Sequence, residues 1–408
     1  MNHKERFSQI IFYLLISKKL LISLIFLLFP FNAIALENKR LNSIKLDYWQ
    51  TICSSPKNYK HTWIEQPKKY SIKRLSNIAE NFRSGYAFST GEKLIIRDTA
   101  NKKYYEYLDG SYYPLERSIV CPKAIHEDYV IETSSNKIKA CKLNDIDNCK
   151  SITIKENTYP YVITSHNDSV LAITNYGDAL IFKANEWCRM SLNNEIFMCD
   201  KDAKTLEKGR GIQFYSAVDY FGTKLIGHFP TGRLYEFDGN VLKPSNISPP
   251  EFNKNSKHYE AQSMAIYCGD LFVGYWPYGE IYRLDSKTNE WSRFVRLFSH
   301  PSKNRTPLFG EPVPYSKRLF ILKNVLKKFT NFRSSENEDI SLAFLGQRVS
   351  ALVPYNDSLY AITSNLRAWG NNVNPKEFDF LNESQINEYG AIYKIYSEGC
   401  NTVKSKID

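Results

Sequence analysis

Short apolar runs alternate with short polar turns along most of this chain, and the apolar spacing of amphipathic helices is rare. One unit stands out, consisting of an apolar strand, a tight polar turn and a second apolar strand. It occurs at 162–174, 216–228, 263–273 and 350–361. Its turns contain glycine or Asn-Asp, as in Asn167-Asp168, which supply the positive φ or side-chain capping that hairpins need. The pattern therefore predicts four β-hairpins.

Each hairpin is followed by a loop with a glycine and then by a third strand of aromatic and aliphatic residues. These glycines are Gly177, Gly232, Gly279 and Gly390. The best-preserved copy continues into a fourth strand beginning at Trp291, and weaker copies precede the series at 86–108 and 129–154. Repeated units of four antiparallel strands are the organisation of propeller blades.

On these repeats the chain resembles a β-propeller of the broad kelch or WD-like type over roughly residues 45 to 400. It lacks the paired glycines of kelch repeats, the Trp-Asp dipeptide of WD repeats and the Ser-x-Asp-x-Gly-x-Thr-Trp turn of sialidases, so no catalytic residues carry over. We predict an all-β fold, a single β-propeller of six or seven four-stranded blades. The interval from Leu271 to Leu359 is longer than the other repeat intervals. It fits either a single blade that carries a large insertion or one further, degenerate blade around Leu319 to Leu322. Segment 44–53 is expected to close the ring against the C-terminal strand.

The first 35 residues have the pattern of a signal peptide. Basic residues precede an apolar run at 20–31, and Ala33-Ile34-Ala35 supplies the small-x-small pattern of a cleavage site. We expect cleavage after Ala35, a propeller domain at 36–408, and export to a periplasm or the extracellular space. An uncleaved anchor is the alternative, but Lys18 and Lys19 split the apolar stretch, and neither half reaches the roughly 20 residues of a membrane span. We therefore expect no stable span after cleavage.

Eight cysteines follow the predicted cleavage point: Cys53, Cys121, Cys141, Cys149, Cys188, Cys199, Cys268 and Cys400. An even count in an exported chain indicates disulfides, and the absence of a C-x-x-C spacing argues against a metal site. Cys141 with Cys149, and Cys188 with Cys199, are candidate local pairs. Among the other four, Cys53, Cys121, Cys268 and Cys400, a bond from Cys53 to Cys400 would tie the chain ends together, but the sequence leaves their connectivity open.

Two insertions interrupt the repeat, at about 300–346 and 365–388. The first has a basic stretch at 317–333 and an acidic patch at 336–339, and it fits a surface decoration or an eroded blade. The second replaces the loop between the second and third strands of the last unit. In a propeller that loop lies beside the central channel, so Arg367 and Trp369 could reach a ligand.

Polar and aromatic residues recur where the predicted innermost strands begin and in the loops on the same face. The candidate binding residues are Gln213, Arg233, Gln262, Tyr275, Trp276, Arg348, Arg367 and Trp369, with Glu260 beside them. A polar channel with aromatic walls suits a carbohydrate, because aromatic faces stack on sugar rings and amides bind hydroxyls. The competing interpretation is that the aromatic residues pack between blades and the charged residues pair with one another.

Two functions remain open, and the favoured one is a non-enzymatic propeller that binds a glycan or a protein. No Gly-x-Ser-x-Gly, His-Glu-x-x-His or phosphate-loop motif occurs. The alternative is a lyase-like enzyme acting on acidic polysaccharide, with Arg348 or Arg367 neutralising a carboxylate. Its candidate bases and acids are His228, His258, Tyr215 and Tyr278.

The charge pattern bears on the partners. The chain carries +11, of which the leader contributes +3. An acidic ligand is therefore compatible with the charge. The basic residues are dispersed among acids, however, so nucleic acid is not expected as a partner. We expect a monomer without a cofactor or metal.

Overall fold

In the part of the chain that it describes, the computed structural model is almost entirely β-structure. The residues that it describes are 69–75, 84–89, 93–98, 103–108, 110–115, 124–134, 136–156, 158–204, 212–250, 252, 259–300, 346–364, 381–397 and 400. All of them belong to one compact unit, Thr51–Asp408, while a second unit, Met1–Gln50, lies outside the described residues. One short helix, α1 (Glu383–Ile386), accompanies the strands of the described part and is capped by Asn382.

The first strand, β1 (Tyr70–Arg74), belongs to the last blade, and the next twelve strands form three antiparallel four-stranded blades. Blade A consists of β2 (Ser84–Ser89), β3 (Leu94–Asp98), β4 (Lys103–Leu108) and β5 (Ser111–Leu115). Blade B consists of β6 (Ala124–His126), β7 (Tyr129–Ser134), β8 (Lys137–Lys142) and β9 (Asp145–Thr153). Blade C consists of β10 (Pro160–His166), β11 (Ser169–Thr174), β12 (Ala179–Lys183) and β13 (Glu186–Asn193).

An additional strand, β14 (Ile196–Cys199), follows blade C, and three further blades complete the described part. Blade D consists of β15 (Gln213–Tyr220), β16 (Thr223–Phe229), β17 (Leu234–Phe237) and β18 (Val241–Pro244). Blade E consists of β19 (Glu260–Tyr267), β20 (Asp270–Trp276), β21 (Glu280–Asp285) and β22 (Glu290–Arg296). Blade F consists of β23 (Val349–Tyr355), β24 (Ser358–Thr363), β25 (Ile392–Ser397) and β1. The predicted all-β propeller of four-stranded blades is confirmed.

The hydrophobic core lies between the blades. Strands β11, β20 and β24 are buried at every position, because each is covered on both faces by neighbouring blades. Such strands appear in the sequence as continuous apolar runs. Separate apolar clusters join blade B to C, C to D, D to E, E to F and F to A.

The innermost strands of blades E and F pack directly on each other. Ser263 Oγ in β19 donates a hydrogen bond to the carbonyl oxygen of Val349 in β23 at 2.6 Å. A Cβ on Gly274 would lie 2.5 Å from the Cβ of Val349. Blades E and F are therefore adjacent in the ring, and the described strands form six blades.

The ring closes through β1, which pairs with β25 from Tyr70↔Ser397 to Arg74↔Tyr393. Tyr70 donates a hydrogen bond to Asp270 Oδ2 at 2.6 Å, and the Arg283 guanidinium lies 4.9 Å from its ring. The prediction of closure by an N-terminal strand is therefore confirmed, but the segment was wrong. Segment 44–53 lies outside the described residues. The closing strand is β1, in which Tyr70 contacts Asp270 and Arg283 of blade E.

Strand β14 links two blades along their outer edges. It pairs with β13 of blade C and also with β18 of blade D, through Phe197↔Leu242. Blades C and D therefore share one nine-stranded sheet.

Three disulfides occur in the described part of the chain. Cys141–Cys149 and Cys188–Cys199 are the two predicted local pairs, with Cα atoms 4.0 and 5.7 Å apart. The third is Cys268–Cys400, which rules out the bond between Cys53 and Cys400 that the sequence left open. Cys268 lies in the β19–β20 turn and Cys400 follows β25, so the ring brings them together although 132 residues separate them. Cys53 and Cys121 lie outside the described residues.

Within the described segments, no helix has the length and apolar character needed to cross a bilayer. The leader predicted at 1–35, the first insertion from 301 to 345 and residues 365–380 of the second lie outside these segments.

The disulfide between blades E and F should contribute more stability than the hairpin disulfide, because it closes a much longer loop. In the chain-entropy model, Cys268→Ala/Cys400→Ala should lower the free energy of unfolding by roughly 5 kcal/mol and Cys141→Ala/Cys149→Ala by roughly 2.5 kcal/mol. Urea denaturation of the two double variants measures the difference. Equal losses would contradict the loop-length argument.

Candidate functional site

The innermost strands share a backbone irregularity near their first residues. Five of the six carry a β-bulge there, in which an extra residue interrupts the pairing with the second strand. The bulge positions are Gly85, Tyr161, Tyr215-Ser216, Gln262 and Ser350. Bulges redirect side chains and are common next to binding sites. We call this end of the ring the mouth.

Three blades contribute to a hydrogen-bonded cluster at the mouth. Glu260 of blade E is buried, and its carboxylate accepts from Arg348 Nε, before blade F, at 3.1 Å. Its other oxygen accepts from the Tyr215 hydroxyl of blade D at 3.0 Å, and Gln213 Oε1 is a second acceptor for that hydroxyl. Gln213 Nε2 in turn donates to the carbonyl of Asn175 in blade C at 2.9 Å. Polar contacts thus run across four consecutive blades.

Trp276 forms part of the wall of this cluster. It is the strand partner of Glu260, and the Arg348 guanidinium lies 5.5 Å from its ring. Cation–π contact and the ion pair together fix the orientation of Arg348. Burial, and then the neighbouring carboxylate of Glu260, raise the pKa of Tyr215, so this phenol remains a hydrogen-bond donor at neutral pH.

Two buried acceptors at the bulges have no hydrogen-bond partner within the described part of the chain: Ser216 Oγ and Gln262 Oε1. Buried polar groups in proteins are nearly always satisfied by protein, water or ligand. Both atoms belong to bulged residues of adjacent blades, where the regular pairing between the first and second strands is interrupted.

The backbone on either side of Arg348 is also held firmly. Ser364 Oγ accepts from the Arg348 amide at 3.1 Å, and Ser364 N donates to the Arg348 carbonyl at 3.1 Å. The preceding Gln347 is fully buried and donates to the carbonyl of His300 at 2.7 Å and to the Tyr389 hydroxyl at 3.2 Å. Arg348 is therefore presented by a rigid segment.

Several predicted site residues lie in other surroundings. Tyr275 is buried and stacks on Phe252 with ring centroids 4.2 Å apart. Tyr278 is buried beneath the Arg296 guanidinium, and Arg233 pairs with Glu195 at 3.5 Å. These contacts are packing and pairing interactions within and between blades. The predicted residues that the structure brings into one cluster are Gln213, Tyr215, Glu260, Trp276 and Arg348.

His228 is enclosed by protein. Its ring lies between Phe214 and Tyr235, and its Nδ1 is 2.8 Å from Thr231 Oγ1. Burial, with a smaller contribution from the positive charge of Arg233, lowers the pKa of His228 to about 3. The other predicted base, His258, and the loop residues Arg367 and Trp369 lie outside the described residues.

Tyr161 also lies at the mouth, where its ring stacks on that of Tyr215 with centroids 5.1 Å apart, and it was not among the predicted site residues. The sequence repeat does contain a pattern that indicates this position. Four of the five bulges lie six residues before the positive-φ residue that begins the following hairpin turn. The pairs are Tyr161 with Asn167, Tyr215 with Phe221, Gln262 with Cys268 and Ser350 with Asn356. Counting back from the turns would have identified Tyr161.

A groove of about 750 Å³ lies elsewhere, on the outer strands of blades B, C and D. Trp187, Met198 and the Cys188–Cys199 disulfide line part of it, with Lys201 beside them. None of the predicted binding residues lines this groove. Its lining mixes acidic and basic side chains, so its charge favours no particular ligand. Among the described residues, no group of three or more His, Cys, Asp or Glu side chains could hold a metal ion.

The neighbouring innermost strand leaves no room for a side chain at Gly227, which lies opposite the bulge of blade D. An added Cβ would lie 2.1 Å from the carbonyl oxygen of Ala261. We expect Gly227→Ala to lower the free energy of unfolding by roughly 3 kcal/mol or more. Gly222→Ala, in an open turn with φ +79°, is the control, with an expected loss of roughly 1 kcal/mol from backbone strain. Similar urea midpoints for the two variants would refute the close packing.

The lowered pKa of His228 makes stability depend on pH. The unfolded chain binds a proton at this ring from about pH 6.5 downward and the folded protein does not, so the stabilisation is complete above that pH and is lost toward pH 3. Between about pH 7 and 4.5, the wild type should lose about 2 to 3 kcal/mol more unfolding free energy than His228→Phe. Urea denaturation at the two pH values tests this, and equal losses would show that His228 titrates normally.

Comparison with known proteins gives no family assignment: no family model matches the chain, and no curated protein does. Among solved structures, a streptogramin B lyase is 10% identical, with 81% of this chain and 98% of that chain covered and a TM-score of 0.35. A luciferin-regenerating enzyme is 12% identical, with coverage of 82% and 99% and a TM-score of 0.38. A putative exported protein of Bacteroides fragilis is 12% identical, with coverage of 85% and 98% and a TM-score of 0.36.

Proposed function

We propose that this protein is an exported, non-enzymatic β-propeller that binds a glycan at the mouth of its ring. The observation that carries the proposal is the cluster of Tyr215, Glu260 and Arg348, contributed by three blades and held in place by Trp276 and Gln213. A ligand at this point contacts several blades at once.

The chemistry of the mouth suits a sugar. Hydroxyl groups need both donors and acceptors, and the cluster offers a phenol, a guanidinium, a carboxylate and two amides within a small area. Tyr161 adds an aromatic face that is 36% exposed and stands beside Tyr215. Aromatic walls with a few oriented polar groups are typical of sites for small polar ligands.

Export is supported by the cysteines and by the N-terminal sequence. The Cys141–Cys149, Cys188–Cys199 and Cys268–Cys400 disulfides are typical of an oxidising compartment outside the cytoplasm. The basic and apolar leader ending at Ala35 agrees with secretion.

The surroundings of His228 do not fit the lyase alternative. That mechanism needs an imidazole beside the tyrosine and the arginine. Tyr215 and Arg348 do share Glu260, but His228 is buried and stays neutral far below neutral pH, with its Nδ1 engaged by Thr231.

The proposal is tested by screening the mature protein on an array of neutral and uronate oligosaccharides and then titrating a hit by calorimetry. Arg348→Gln should weaken binding roughly tenfold or more, because a charged hydrogen bond to ligand is worth about 1.4 kcal/mol or more. Arg293→Gln is the matched control, because it breaks an Arg-Glu pair on the outer strand of blade E, where the arginine side chain is 63% exposed. Its affinity should equal that of wild type.

The hit should be recovered chemically unchanged after prolonged incubation. Absence of binding to every oligosaccharide, or binding that Arg348→Gln leaves intact, would refute the proposal. Accumulation of an unsaturated sugar product would replace it with the lyase.

A further inference from the structure

Blade C presents solvent-exposed tyrosines at the mouth. Tyr159, just before β10, is 54% exposed, and Tyr161 on the bulge is 36% exposed. Tyr176, in the loop from β11 to β12, is 38% exposed. Tyrosine rings are usually at least partly buried, and a contiguous exposed group commonly marks an interaction site.

The rings of Tyr159, Tyr161 and Tyr215 form a series, which we call the tyrosine track. The centroids of Tyr159 and Tyr161 are 5.4 Å apart, and those of Tyr161 and Tyr215 are 5.1 Å apart. Tyr215 is the inner end, because its hydroxyl bonds to Glu260 in the central cluster. Tyr159 is the outer end and the most exposed. The track therefore leads from the centre of the mouth outward over blade C.

The outer end of the track is anchored by Asn175. Its side-chain oxygen accepts from the Tyr159 amide at 3.1 Å, and its own amide donates to the Tyr159 carbonyl at 2.9 Å. The Asn175 carbonyl accepts from Gln213, which belongs to the central cluster. The backbone that carries Tyr159 is thus tied to the cluster, and a ligand that uses the track meets little cost of ordering the protein.

We infer that the tyrosine track binds an oligosaccharide chain, with one sugar at the Tyr215–Glu260–Arg348 cluster and successive sugars on Tyr161 and Tyr159. This inference rests on the proposed glycan function and adds that the ligand is a chain and not a single sugar. Tyr161 stacks on Tyr215 at an interplanar angle of 24°, and Tyr159 meets Tyr161 edge to face at 71°. A flexible chain with alternating apolar ring faces and hydroxyl edges matches a row of phenols, which combine an aromatic face with a polar tip.

The test measures affinity against chain length for β-1,4-glucan, α-1,4-glucan and β-1,4-linked N-acetylglucosamine series, from the monosaccharide to the hexasaccharide, by calorimetry. The affinity of the wild type for the recognised series should rise over the first three sugars and then level off. Tyr159→Ala should leave the monosaccharide affinity unchanged and weaken the hexasaccharide roughly tenfold, as expected for the loss of one stacking contact of about 1.4 kcal/mol. Tyr159→Phe should retain most of that affinity.

Tyr113→Ala is the matched control, because Tyr113 is 52% exposed but lies on β5, the outer strand of blade A. It should bind every length as wild type does. If affinity is independent of chain length, or if Tyr159→Ala weakens all lengths equally, the track is not a chain site, although Arg348-dependent binding would still uphold the proposed function. If no sugar of any length binds, both the proposed function and the chain site are refuted.

Discussion

The fold depends on the fact that a single blade cannot bury its own faces. Strands such as β11, β20 and β24 are apolar on both sides, and each side is covered only by the next blade. Every blade therefore needs two neighbours, and the arrangement is stable only as a closed ring. Tyr70 and Cys400 serve this closure directly, because both join the terminal blade to Asp270 and Cys268 of blade E.

Closure also explains why the mouth can hold an unusual set of groups. A charge pair between Glu260 and Arg348 in a partly buried place is costly unless its hydrogen bonds are satisfied and its geometry is fixed. The innermost strands provide that fixed geometry, and the bulges direct Tyr161, Tyr215 and Gln262 at one end of the ring. The regular strands hold the site in a fixed geometry, and the bulged residues provide its polar and aromatic side chains.

The sequence predicted the features that depend on local order along the chain. Hairpins, four-stranded units and the disulfides Cys141–Cys149 and Cys188–Cys199 follow from turn residues and short spacings, and all are present. The partner of Cys400 and the closing strand depend on which blades meet around the ring, which no local pattern contains. The repeat predicted a binding role for both Tyr275 and Trp276, yet successive strand residues face opposite sides. Tyr275 therefore packs on Phe252, while Trp276 lies at the mouth.

Strand β14 makes the boundary between blades C and D more stable than the other boundaries between blades. Hydrogen bonds from β14 to β13 and to β18 join blades C and D into one sheet. Local unfolding should therefore begin at other boundaries between blades. Blades C and D should exchange their amide hydrogens as a single cooperative unit. Tyr161 belongs to blade C and Tyr215 to blade D. The pairing of blades C and D through β14 therefore favours a constant distance between the stacked side chains of Tyr161 and Tyr215.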